Sequence, residues 1–267
     1  MKIFALVTLG ALLLSGCGGG GTDSGTSTDS GTRHSMHKKA IDVFGVQVYA
    51  TAAVPDDTML YAAKIMAEYL DQDNNGVADN ALLNSAMRNR GSCIGVTTGE
   101  RAIGCQSLYT FEAIPSPVAS GQNATYEEVL HTISEGYGAA YPNVFGERIG
   151  TTIGKLMDKA RGGYQGAGQP VSAYPEGAWY TYKDPTCDYS CMVTEYFYWG
   201  LTSMMGLQGH RCAEMQVEWD LCTRSLVQSK DPELFALLSN STGAYGIPQT
   251  RPDGVYSALP LTIVHYE

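Results

Sequence analysis

The sequence predicts an α+β domain. Short runs rich in Val, Ile and Tyr, interleaved with two helical segments, fill the chain up to about residue 114. Beyond residue 125 apolar stripes at helical spacing dominate, so the order is strands with helices first and a mostly helical C-terminal half. Gly and Pro clusters punctuate 162–177 and 243–254, but no second linker divides the roughly 230 residues from Ala40 onward, a length that one core can serve.

Each element has its own signal. Residues 43–50 (VFGVQVYA) alternate β-formers and read as one strand. Asp56 and Asp57 open a helix whose apolar stripe is Met59, Ala63, Met66 and Leu70. A second helix is predicted over 80–89, then strands over 94–98 and 108–114. A helix over 127–137 follows, with Thr125 as N-cap. Further helices are predicted over 149–160, 194–205, 213–229 and 232–238.

The first residues read as an export address. Met1-Lys2 is a short positive start, Ile3 to Leu14 is an apolar run too short to span a bilayer, and Leu14-Ser15-Gly16-Cys17 follows. This ending resembles the lipobox of bacterial lipoproteins. The resemblance implies a signal peptide over 1–16, an acylated (palmitate-bearing) Cys17 as the new N-terminus, and a membrane anchor in the cell envelope. With Gly18 and no aspartate after the cysteine, it implies the outer membrane in a Gram-negative host. Residues 17–39 then form a Gly/Ser/Thr tether that buries too little apolar surface to fold, and 40–267 form the domain.

Loss of Lys2 leaves 16 Lys and Arg against 27 Asp and Glu, a net charge of −11. That balance excludes nucleic acid and anionic lipid surfaces as binding partners. Six cysteines remain: Cys93, Cys105, Cys187, Cys191, Cys212 and Cys222. An even number in an exported chain predicts disulfides. Cys93 and Cys105 form a local pair, while the other four pair as 187–191 with 212–222 or cross between the two segments.

Asp71-Gln72-Asp73-Asn74-Asn75-Gly76-Val77-Ala78-Asp79 alternates oxygen ligands and places Gly where a sharp turn needs it. It resembles the start of an EF-hand calcium loop, with Asp71, Asp73, Asn75, the Val77 carbonyl and Asp79 as the implied ligands. Leu82 stands where that loop carries its bidentate glutamate, so the expected calcium site is weaker and structural.

Thr125 to Gly136 (TYEEVLHTISEG) places Glu127, Glu128, His131 and Glu135 on one side of a helix. Carboxylates so close repel one another unless a cation or a shared proton intervenes. Glu127-Glu128-x-x-His131 resembles the HExxH helix of zincin metallopeptidases, with glutamate in place of the first histidine. The resemblance implies Glu127 and His131 as ligands of zinc or another divalent transition metal, and Glu128 as the base that activates a water. The gluzincin branch takes its third ligand from a later helix, which implies Glu195. A rival set is Glu128, His131 and Glu135. His210 and Glu214 form a further pair at helical spacing. Among the aromatic residues from 174 to 199, Phe197 and Trp199 read as core and the tyrosines remain open between core and cleft. The expected function is a metal-dependent hydrolase with a peptide or protein substrate. The competing expectation is a calcium-stabilised surface lipoprotein that binds a protein or glycan.

Overall fold

The computed structural model describes residues 35–113, 123–240 and 245–267, and Cys17, where the lipobox resemblance falls, lies outside them. The fold is α+β: a five-stranded mixed sheet carries helices, and the C-terminal half is largely helical. In chain order the elements are β1 (Lys39–Val43), β2 (Val46–Ala50), α1 (Asp56–Leu70), α2 (Ala81–Arg90), β3 (Cys93–Thr97) and β4 (Gln106–Tyr109). After them come α3 (Ala124–Ala140), α4 (Thr152–Ala160), α5 (Tyr189–Met204), α6 (Cys212–Met215), α7 (Arg224–Lys230), α8 (Pro232–Leu238) and β5 (Val264–His265). Among the described residues no helix is long and apolar enough to cross a membrane.

The run 43–50, expected as one strand, is the turn and second arm of a hairpin. Phe44 and Gly45 both have positive φ, 54° and 85°. This pair of conformations matches the right-handed twist of antiparallel strands, and Gly45 adopts it at no steric cost. Lys39 already belongs to β1 and His37 is fully buried, so the ordered chain begins before Ala40. Lys39 reaches Asp56 at 2.6 Å and ties β1 to the start of α1.

The sheet order is β4-β3-β2-β1-β5. β1 pairs antiparallel with β2 and β5, whereas β2–β3 and β3–β4 are parallel. The Cys93–Cys105 disulfide, with Cα atoms 4.9 Å apart, joins the entry of β3 to the residue before β4. Residues 98–105 alone make this parallel return, well below the usual crossover length. β4 ends at Tyr109, earlier than expected, and Ile114 lies outside the described residues.

Helix ends follow their caps. Asn123, and not Thr125, caps α3: its side chain accepts from the Thr125 N–H. Asp188 caps α5 through Cys191 N–H, so that helix starts earlier than the pattern suggested. The expected helix over 213–229 is two short helices, because the Cys212–Cys222 disulfide and the fully buried Trp219 bend the chain between them. The Cys187–Cys191 pair closes at the mouth of α5. All six cysteines are thus paired locally.

α3 and α5 are the inner helices. Val129, Leu130, Ile133 and Tyr137 of α3 are fully buried, and α5 is apolar on almost every side, as expected of a helix enclosed by protein. α3 packs against α1, α2, α5 and β4. A side chain at Gly136 would come within 2.4 Å of Met87, so this glycine permits the close approach of α2 to α3. Phe197 and Trp199 are core, as expected.

Candidate metal centre

Glu127, Glu128 and His131 lie on a stretch of α3, residues 124–134, that is buried at every position. Glu195 lies on the facing surface of α5 and is buried as well. His131 Nε2 is 3.3 Å from Glu195 Oε1 and 3.9 Å from Glu127 Oε1. One ligand atom from each of Glu127, His131 and Glu195 falls within 4.8 Å of the others. Ligands about 2.0–2.2 Å from a tetrahedral ion stand roughly 3.3–3.6 Å apart, so little movement would close this group around one.

Two further observations fit a cation here. Glu195 Oε2 and His131 Nδ1 are buried without a hydrogen-bond partner among the described residues. An unsatisfied buried carboxylate oxygen is costly, and coordination removes that cost. The donor set of one imidazole and two carboxylates also suits a divalent transition metal.

The electrostatics of the bare site show the same strain. Burial, then the Glu195 charge, push the Glu127 carboxyl up to about 8. Burial pushes Glu128 up to about 7, against the opposing pull of His131 and Gln106. Burial alone would lower His131, but Glu195, Glu128 and Glu127 overcome it and raise the imidazole to about 10. Protons thus hold together a cluster that a dication would hold without them.

Glu128 stands apart from the three converging ligands. Gln106 Nε2, on β4, donates to its Oε2 at 2.5 Å and fixes the carboxyl between helix and sheet. Tyr182 donates to Glu195 Oε1 at 3.5 Å from the opposite side. The Tyr198 ring packs edge-on to His131, 5.6 Å between centroids. Arg211 is near enough to lower the Glu127 carboxyl. Gln106 and Arg211 carried no sequence signal, because glutamine and arginine are common and neither sits in a motif. Tyr182 and Tyr198 lay in the aromatic-rich run, where chain position does not separate core from cleft.

The structure does not bring Glu135 to this group. Its carboxyl is half-exposed and faces Arg90 at 3.9 Å. His210 and Glu214 share no hydrogen bond among the described residues: Glu214 pairs with Arg211 at 2.8 Å, His210 adds only a weaker electrostatic pull on that carboxyl, and His210 lines a small pocket.

The acidic loop after α1 forms a second group. Ligand atoms of Asp71, Asp73 and Asp79 lie within 4.8 Å of one another. Asp71 is buried and already engaged: it accepts from Asn75 N–H at 3.1 Å, Gly76 N–H at 2.8 Å and the Tyr256 hydroxyl at 2.5 Å. Asn75 Oδ1 accepts from Val77 N–H, and Asp79 accepts from Gln72 N–H. Leu82 is 53 % exposed and offers no ligand. Glu68 accepts the N–H groups of Asp253, Gly254, Val255 and Tyr256, fastening the C-terminal segment beside the loop.

No protein-family model matches the chain, and no curated protein and no solved structure matches it either.

Proposed function

We propose that this chain is a metal-dependent hydrolase of the cell envelope, a zincin-like peptidase carried on a lipid anchor at Cys17. The observation that supports the reading is the convergence of Glu127 and His131 from α3 with Glu195 from α5, beside a third buried carboxylate, Glu128. Zinc, or another divalent transition metal, held by Glu127, His131 and Glu195 would polarise a substrate carbonyl and acidify a water. Glu128, steadied by Gln106, acts as general base: it takes the proton of the attacking water and returns it to the leaving amine. A carboxyl near pKa 7 is suited to both steps. The Tyr182 hydroxyl, beside Glu195, serves as a donor to the developing oxyanion. β4 is an edge strand among the described residues, and it carries Gln106; an extended peptide laid along it would pass Glu128.

The converging Asp71, Asp73 and Asp79 favour calcium as a structural ion in the same protein. On the second reading, that ion alone is bound and the chain serves as a surface-binding lipoprotein. Cleavage of an unstructured protein such as casein by the zinc-loaded chain, lost in Glu128→Gln, separates the two. Activity unchanged in that variant, or none with metal bound, removes the hydrolase.

A further inference from the structure

Next to the metal centre lies a small pocket lined in part by Gln208, His210, Arg211 and Arg251. The chain is strongly acidic, so two arginines and a histidine around one recess stand out against the rest of the surface. Asn123 and Tyr126, at the start of α3, also line it. They sit just before Glu127, at the positive end of a long helix. Tyr198 forms the wall shared with the metal centre: its ring packs on His131, and its hydroxyl accepts from Gln208 Nε2 at 3.1 Å.

The polar groups of this recess are not used up within the fold. Arg211 gives Nε and Nη2 to Glu214, at 3.4 and 2.8 Å, and Nη1 has no acceptor among the described residues. Arg251 is exposed and makes no ion pair among them. Gln208 is 2 % exposed, and its Oε1 is buried with no donor among the described residues. The free volume of about 20 Å³ admits a group of one or two oxygens rather than a whole side chain.

We propose that this recess binds the C-terminal carboxylate of a peptide, with Arg211 and Arg251 pairing the carboxylate and Gln208 Oε1 accepting the last peptide N–H. Charge-assisted donors for the anion and one unfilled acceptor for the N–H are the complement of a peptide terminus. The inference rests on the hydrolase reading and narrows it: the metal centre acts near the free C-terminal end of short peptides. Arg211 and Arg251 are positioning residues in this account, since they hold the substrate and do not touch the scissile bond.

Calorimetric titration of the full chain, with and without zinc, tests it. The probes are N-acetyl-Gly-Gly-Phe, its C-terminal amide, and the amides of N-acetyl-Gly-Gly-Glu and N-acetyl-Gly-Gly-Gln. The expected result is at least about tenfold tighter binding of the free acid than of its amide, a preference that Arg251→Gln and Arg211→Gln each reduce. Arg251 is exposed and makes no ion pair among the described residues, so its variant stays informative if Arg211→Gln fails to fold. Equal binding of acid and amide overturns the proposal, as does a preference that survives Arg251→Gln. A preference for the Glu over the Gln amide without one for the free terminus also overturns it, in favour of an acidic side chain. Selective binding of the acid without cleavage of any probe retains the recess and removes the hydrolase. Cleavage of acid and amide at equal rates retains the hydrolase and removes the recess.

Discussion

His131 Nε2 and Glu195 Oε1 meet at 3.3 Å across the packing of α3 on α5, both buried and far apart in the chain. Two packed helices thereby fix the two halves of a group that could hold a metal ion, and neither half depends on a loop. A site carried on helices holds its geometry without a bound ion. The closeness of Glu127 on the same helix is then a consequence of the i, i+4 spacing.

If that contact is a ligand set, either partner is indispensable for metal and dispensable for the fold. Glu195→Gln is expected to abolish the rise in melting temperature produced by zinc while the far-ultraviolet spectrum is unchanged. The wild-type rise corresponds to about 2.7 kcal/mol when zinc is at a hundred times its dissociation constant. A scanning-calorimetry series with and without zinc reads this directly.

Glu128 is outside the three converging ligands, so Glu128→Gln is expected to keep metal and lose turnover. The loss expected for a general base is about 10²–10⁴-fold in kcat. Parallel metal analysis and peptidase assays of the same preparation check both halves.

Gln106 lowers the Glu128 carboxyl by donating to it. Removing the amide in Gln106→Ala therefore raises that carboxyl further above about 7. A general base must be deprotonated, so the acidic limb of the rate profile is expected to move to higher pH. An unmoved limb would separate Gln106 from the base.

The metal-free protein is expected to lose stability as pH rises from 5 to 8. Glu127 and Glu128 have folded-state values of about 8 and 7, above the ordinary carboxyl value of 4.5, so the native state binds more protons than the unfolded chain in this window. Stability then falls with rising pH. His131, raised to about 10, stabilises fully below its ordinary 6.5 and loses that contribution as pH climbs through 10. Zinc displaces these protons, so its own stabilisation grows over the same range. Urea melts at pH 5, 6.5 and 8, with zinc and with chelator, test the opposite slopes.

Asp71 holds the acidic loop through three hydrogen bonds, one from Tyr256 near the end of the chain. Asp71→Ala is expected to cost about 1–3 kcal/mol even without calcium, because it orphans those donors. It should also remove any calcium-dependent rise in melting temperature.

The fold class and the clustering of Glu127, His131 and Glu195 were legible in the sequence, whereas several element bounds were not. Glu127, Glu128 and His131 were legible because helix spacing is short-range and a buried cluster of like charges demands compensation. Glu195 was reached through a family resemblance, since nothing local marks its pairing with His131. The hairpin at Phe44-Gly45 was missed because β-formers run straight through a turn made by two left-handed residues. The division of 213–229 was missed because it is imposed by the local Cys212–Cys222 bridge, whose pairing the spacing left open, and by burial of Trp219 against residues distant in the chain. Gln106, Tyr182 and Arg211 reach the site only through tertiary packing, which no spacing in the chain encodes.

The most direct test of the metal centre is elemental analysis of the full chain, purified without chelator, beside His131→Ala. The account predicts on the order of one zinc or similar transition metal per chain, absent from the variant, with calcium unchanged between them. Calcium alone in both proteins, or transition metal retained after His131 is removed, would contradict it.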